Sequence, residues 1–338
     1  MAKILAIESS CDETAVAIAE EGKLLSSVVA TQISIHEKYG GVMPEIASRL
    51  HAENITVCLE QALDEAHLTM KDIDAIAVTR GPGLIGCLHV GLQAAKTLAM
   101  LYDLPLIPVH HLAGHIYANE YVGELKFPLL CLVVSGGNTE LVYMKDHLDF
   151  DIIGETQDDA VGECFDKVAR VLGLPYPGGL PIDLHAKQGT HTYDLPKPHA
   201  EGYDFSYSGL KTAVINLAHS LKMKGEPLRI DDMARSFEDV AIGQCVEKTM
   251  KAARDYKVAQ IVLAGGVSAN SYLREQMKKE VEGTGIELII PPLWCTTDNA
   301  AMIARVGEHL YKRNYFAPLS LGVDPSWKID DQLTLLDK

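Results

Sequence analysis

The chain has 338 residues, a formal net charge of −16, 47% apolar residues and 22% charged ones. At roughly 150 residues per domain, this length fits two domains or one large bilobal one, and the apolar content excludes chain-wide disorder. No apolar run approaches the ~18 residues needed to cross a bilayer. The opening Met-Ala-Lys leads straight into an apolar stretch without a signal-peptide pattern, so a cytoplasmic protein with no membrane partner is expected. The seven cysteines are scattered and none is paired as CxxC, which argues against a disulfide framework or a zinc ribbon. An acidic chain does not hold nucleic acid tightly by charge alone. Residues 167–224 are an exception, with seven Lys/Arg against four Asp/Glu, a local excess of three positive charges.

In chain order, residues 3–18 read as a β-hairpin, with the apolar runs ILAI and AVAIA flanking the polar ESSCDET. A helical pattern over 42–66 precedes a buried-strand pattern over 73–79, which runs into the turn RGPG. A second hairpin is expected over 129–144, where LLCLVV and LVYM flank SGGNTE. Residues 155–225, rich in Gly, Pro, His and Tyr, read as an inserted subdomain with short helices at 163–172 and 209–222. A long helix over 230–256 then leads to a strand at 259–264 and the turn GGVSAN. A helix over 298–313 and an irregular stretch from 316 complete the chain. The same order of elements occurs in both halves, so one α/β unit is used twice. The expected boundaries are a first lobe at 1–125, a second at 126–325 containing the insertion, and a tail at 326–338.

Several strings can carry chemistry. In Glu8-Ser9-Ser10-Cys11-Asp12-Glu13-Thr14, hydroxyls and amides can hold a phosphate, and the carboxylates can orient a nucleophile; a polar turn explains the same residues. The equivalent turn of the second hairpin, Ser135-Gly136-Gly137-Asn138-Thr139, lets backbone amides approach an anion. Two such turns at matched positions resemble the phosphate clamp of the actin/hexokinase/Hsp70 superfamily. In Gly265-Gly266-Val267-Ser268-Ala269-Asn270, a strand-to-helix turn, neither a Walker loop nor a GxGxxG spacing is present. His111 and His115 are four residues apart and share one helix face, as a metal site requires; buried or surface histidines give the same spacing. Leu112 stands where HExxH proteases carry glutamate. Asp298, in the polar turn Thr296-Thr297-Asp298-Asn299, is a candidate third ligand, and two imidazoles with one carboxylate suit Fe(II) or Zn(II). Asp166, Gly178, Gly179 and Asp183 can hold ribose hydroxyls, or simply cap helices and form turns.

Taken together, ESSCDET, HHLAGH, SGG, FDKVARVLGLPYPGG, FSYSGLKTA and GGVSAN resemble, in order, the TsaD family of tRNA N6-adenosine threonylcarbamoyltransferases, formerly described as sialoglycoprotein endopeptidases. The resemblance runs from about residue 3 to 325. It implies an α/β, duplicated actin-like ATPase fold with two lobes around a central cleft. It also implies transfer of a threonylcarbamoyl group from threonylcarbamoyl-AMP to N6 of the adenosine 3′ of the anticodon in tRNAs reading ANN codons, with release of AMP. By matching positions, His111, His115 and Asp298 would hold one divalent metal, Fe(II) before Zn(II), that grips the adenylate phosphate in the cleft. Val133, Val134, Ser135, Gly136, Gly137, Asp166, Gly179, Asp183 and Asn270 would bind the adenylate. Asp12 and Glu13 are the expected catalytic pair that orients or deprotonates the amine. Asn138 departs from the His that bacterial members often carry after SGG. The implied partners are tRNA, placed against residues 167–224 including Lys197 and Lys211, a smaller inactive paralogue (TsaB type) and a P-loop ATPase (TsaE type). A metalloprotease and a small-molecule kinase of the same fold are the competing readings.

Overall fold

The computed structural model describes residues 2–334. The chain opens with three strands, β1 (Lys3–Glu8), β2 (Glu13–Glu20) and β3 (Lys23–Thr31), followed by the one-turn α1 (Ile33–His36) and the long α2 (Pro44–Ala66). Then come β4 (Ala75–Gly81), α3 (Ile85–Tyr102), β5 (Leu106–His110) and the short α4 (His111–Tyr117). These strands form one sheet in the order β3-β2-β1-β4-β5, with β1 antiparallel to β2 and parallel to β4. The alternation of strand side chains divides its core. Leu5, Ile7, Val16, Ile18, Ile76 and Val78 pack with α2 and α3.

The second half repeats the plan. β6 (Leu129–Val134), β7 (Thr139–Met144) and β8 (Phe150–Glu155) are followed by α5 (Val161–Val171), α6 (Gly179–Ala186), α7 (Ser208–Lys224) and α8 (Ile230–Asp255). β9 (Gln260–Ala264), α9 (Ser271–Val281) and β10 (Glu287–Ile289) complete it. Its sheet order is β10-β9-β6-β7-β8, with β6 antiparallel to β7 and parallel to β9. Read from the other edge, this is the order of the first sheet. The expected twofold use of one α/β unit is therefore a matter of strand topology. Residues 155–225 do not build a core of their own, contrary to the expected subdomain. Val161, Phe165, Phe205, Tyr207 and Leu210 share one apolar cluster with Leu130, Leu132, Phe237 and Leu263.

The chain divides into two compact units, Met1–Glu124 with Thr297–Lys338, and Leu125–Thr296. The C-terminal helix α10 (Ala300–Lys312) thus belongs with the first unit, although the order of elements assigned it to the second lobe. It lies on β1, β2, β4 and β5, on the face opposite α2 and α3. Gly307 permits this close approach, since a Cβ there would stand 2.8 Å from that of Ala77. The irregular segment beyond it is pinned: Trp327 and Ile329 are buried, and the Gln332 amide bridges the His110 N–H and the Pro108 carbonyl. Among the described residues, no helix is long and apolar enough to cross a membrane.

Candidate functional site

In the first unit, three segments distant in sequence meet at the C-terminal ends of β1, β4 and β5. α4 is buried over its whole length. It starts where β5 ends, and the His110 ring caps it by accepting from the Leu112 amide. Burial lowers His110 to about 3, so the ring stays neutral; its other nitrogen faces the Trp327 carbonyl. α4 presses against α10 at Gly114, where a Cβ would meet Ile303 and Met302 at about 3 Å. The Asn299 side-chain oxygen Oδ1 caps α10 by accepting from Met302 N–H. Asp298 therefore lies just outside the helix, beside α4.

The two imidazoles converge on this aspartate. Asp298 Oδ1 is 3.4 Å from His111 Nε2 and 3.1 Å from His115 Nε2, and the rings meet edge to face at 4.7 Å. One ligand atom from each of the three residues lies within 4.8 Å of the others, a spacing that a single ion can bridge. Burial raises the Asp298 carboxyl and lowers the His111 imidazolium, but mutual attraction prevails. His111 and His115 hold Asp298 well below the carboxylate range, while Asp298 and Glu8 hold His111 well above the usual histidine value. A proton on His111 thus sits where a cation would sit. A divalent ion fits this donor set: two imidazoles and a carboxylate, in a pocket that favours positive charge. The buried Nδ1 of His115 has no hydrogen-bond partner among the described residues.

Glu13 is buried, and Thr31 donates to it at 3.2 Å. Burial first, then the nearby Asp298 and Asp12, raise its carboxyl far above the usual range. A carboxyl raised in this way favours hydrogen-bond donation over proton abstraction. Asp12 is only half-buried. The Cys11 thiol is pushed up by burial and neighbouring carboxylates, so it is no nucleophile.

In the second unit, the turn between β6 and β7 is closed by its own backbone. The Ser135 amide donates to the Asn138 carbonyl, and the Asn138 amide donates to Ser135 Oγ. The turn thus uses the backbone of Asn138, which any side chain at that position provides. Gly136 and Gly137 are exposed, with nothing within 4 Å of where a Cβ would be. Their amides donate to no protein group among the described residues. Val133 and Val134 are fully buried strand residues and can offer only backbone. Two glycines hold the turn in place. A Cβ on Gly162 would stand 2.4 Å from the Ser135 carbonyl oxygen. Gly265, at φ +86°, would set a Cβ 2.4 Å from the Val134 oxygen.

The other expected adenylate residues lie along this scaffold. Asp166, one turn after Gly162 on α5, accepts the Gly178 amide at 2.7 Å. Gly179 begins α6 facing open space. Asp183 accepts from Ser271 Oγ at 2.6 Å and pairs with Lys187 at 3.0 Å. Asn270 caps α9 through Leu273 N–H and donates to Glu238 at 2.6 Å. Asp166, Asp183 and Asn270 thus have structural partners, while the glycine turns remain open. Sequence reasoning named Glu8 only as part of the ESSCDET turn, without its contact to His111, and missed Thr79, Gly162 and Glu238. Only Glu8 left a signal, a charged residue continuing a buried strand run. The positive excess over 167–224 is partly paired internally: Lys167 with Asp159 and Glu163, Lys187 with Asp183, Lys211 with Asp159. Lys197, Lys222 and Lys224 are exposed.

Two α/β units of one strand order, the first with an imidazole–carboxylate set and the second with an open glycine turn, place the chain in the duplicated actin-like ATPase fold class. Solved structures at low identity support the fold. The T. kodakarensis HypF matches 99% of this chain at 14% identity and TM-score 0.62. The Acidaminococcus fermentans (R)-2-hydroxyglutaryl-CoA dehydratase component A matches 92% of this chain and 97% of its own, at 14% identity and TM-score 0.52. The chain spans about half the length of the HypF chains it matches, 50% of one and 56% of another. A profile of TsaD, tRNA N6-adenosine threonylcarbamoyltransferase, matches residues 23–305. A Bacillus cereus tRNA N6-adenosine threonylcarbamoyltransferase is 55% identical over 97% of this chain and 96% of its own length. The chain belongs to the TsaD family and is a transferase. Neither the metalloprotease nor the small-molecule kinase reading is favoured.

Proposed function

We propose that this chain transfers the threonylcarbamoyl group from threonylcarbamoyl-AMP to N6 of the adenosine 3′ of the anticodon in tRNAs reading ANN codons, and releases AMP. The reaction is acyl transfer from a mixed anhydride. The N6 lone pair attacks the carbamoyl carbon, the bond from that carbon to the phosphate oxygen breaks, AMP leaves with the electron pair, and the amine loses a proton. The observation that carries this reading is the convergence of His111, His115 and Asp298 in a chain of this family.

These three side chains would hold one divalent cation, Fe(II) in preference to Zn(II). When bound, it supplies Lewis-acid charge that stabilises a departing phosphate. Asp12 acts as the base that takes the amine proton, while protonated Glu13 donates a hydrogen bond. The free amides of Gly136 and Gly137, in the turn opened by Val133, Val134 and Ser135, receive the adenylate phosphate. Gly179 leaves room for the nucleoside, and Asp166, Asp183 and Asn270 border it. Transfer RNA contacts the exposed Lys197, Lys222 and Lys224, and not the paired Lys211. A TsaB-type paralogue and a TsaE-type ATPase complete the assembly, which works in the cytoplasm. Threonylcarbamoyl-AMP and unmodified tRNA, followed by mass spectrometry of the nucleosides, test the reading. N6-threonylcarbamoyladenosine is expected; an unchanged nucleoside profile with the partner proteins present would contradict it.

A further inference from the structure

Glu8 is the last residue of β1 and is fully buried. A buried carboxylate is costly unless its oxygens are engaged, and both of these are. Oε1 accepts the Ser10 amide at 2.5 Å. Oε2 accepts the Thr79 hydroxyl at 2.6 Å and faces His111 Nδ1 at 3.0 Å. Ser10 Oγ reaches the same ring nitrogen at 3.1 Å. Thr79 lies on β4 just after Val78, which pairs with Ile7 beside Glu8. The carboxylate is therefore fixed by the ends of two neighbouring strands. None of these contacts involves the side of the ring that faces Asp298.

We propose that Glu8 is the positioning residue that presents His111 to a divalent cation through Nε2. By accepting a hydrogen bond from Nδ1–H it fixes the tautomer, aims the opposite lone pair and makes it more basic, as carboxylates commonly do for metal-binding histidines. His115 has no such partner. Its Nδ1 is buried without a hydrogen bond among the described residues, and its orientation comes from the packing of α4. On the side away from Asp298, one imidazole of the pair is thus held by a carboxylate and the other by packing. This inference rests on the metal reading above.

The test is a titration of the full-length, chelator-treated protein with Co(II) alone, read by its visible absorption. Unmodified protein should bind about one ion per chain. Glu8→Gln preserves volume and removes the charge. Its affinity for Co(II) should fall by about 10–100-fold, with an altered absorption envelope and an unchanged circular dichroism spectrum. Transfer activity of this variant should recover when Co(II) is raised in proportion. Thr79→Val removes one donor to the same oxygen and should give a smaller loss, severalfold; it carries the test if the Glu8 variant does not fold. Unchanged affinity and absorption in these variants, beside normal binding by the unmodified protein, would overturn the role of Glu8 alone. Failure of the unmodified protein to bind Co(II) would overturn the metal reading and this inference with it.

Discussion

The β1–β2 and β6–β7 turns occupy the same place in the same strand order, yet they are opposites. The first is crowded and acidic, with Glu8, Ser9, Ser10 and Glu13 all buried and the Glu8 carboxylate 3.0 Å from His111. The second is open, with two exposed glycines whose amides donate to no protein group among the described residues. Duplication of a unit copies the backbone path, while the side chains at the copied position decide which charge it attracts. The first turn and its surroundings favour a cation; the second offers amides to an anion.

The sharpest way to break this division is at Asp12 and Glu13. If Asp12 is the base and Glu13 a hydrogen-bond donor, Asp12→Asn should lower kcat by about 10²-fold or more. Glu13→Gln, which keeps a donor, should cost clearly less. Single-turnover rates of the two variants check this, and equal losses would contradict the division of roles. Two buried glutamates sharpen the same comparison. The Glu8 carboxyl is lowered: burial pushes it up, and His111 more than offsets this. Glu238 has the Arg235 guanidinium at 3.6 Å, yet burial pushes it up to about 7, with Asn270 and Arg235 opposing and Asp183 reinforcing the rise. The folded state therefore holds that proton more tightly than the unfolded chain. The resulting stability is full below about pH 4.5 and is lost as pH rises to about 7. Urea unfolding of Glu238→Gln should show this slope removed, with a gain of about 2–3 kcal/mol at pH 8. The smallest effect is expected at Gly137. Gly137→Val fills the open turn and should raise the KM for the donor by about tenfold, equivalent to ~1.4 kcal/mol. It should leave Co(II) affinity untouched, and a change in metal binding would mean the two turns do not act separately.

Much of this was legible in the sequence. Both hairpins, the helix at 42–66, the helix at 230–256 and the strand before GGVSAN follow from periodicity, and all are present with shifts of a few residues at their ends. The HxxxH spacing and the Asp298 turn supplied the ligand candidates, which the packing of Gly114 against α10 brings together. The return of α10 to the first unit was not legible, because its amphipathic pattern states that one face is buried but not against which sheet. The same limit hid the partners of Glu8, and Glu238 altogether. A lone glutamate in a strand or helix looks solvated until the neighbours that enclose it, Thr79 and His111 for one, Asn270 for the other, are placed by tertiary structure.

The central claim is that an ion held by His111, His115 and Asp298 supports acyl transfer. Its most direct test is to measure metal content and threonylcarbamoyl transfer together in the unmodified protein and in His111→Ala, both purified without chelator. The account predicts that the substitution removes the metal and lowers transfer by on the order of 10³-fold. A metal-free His111→Ala protein with full transfer activity would contradict it.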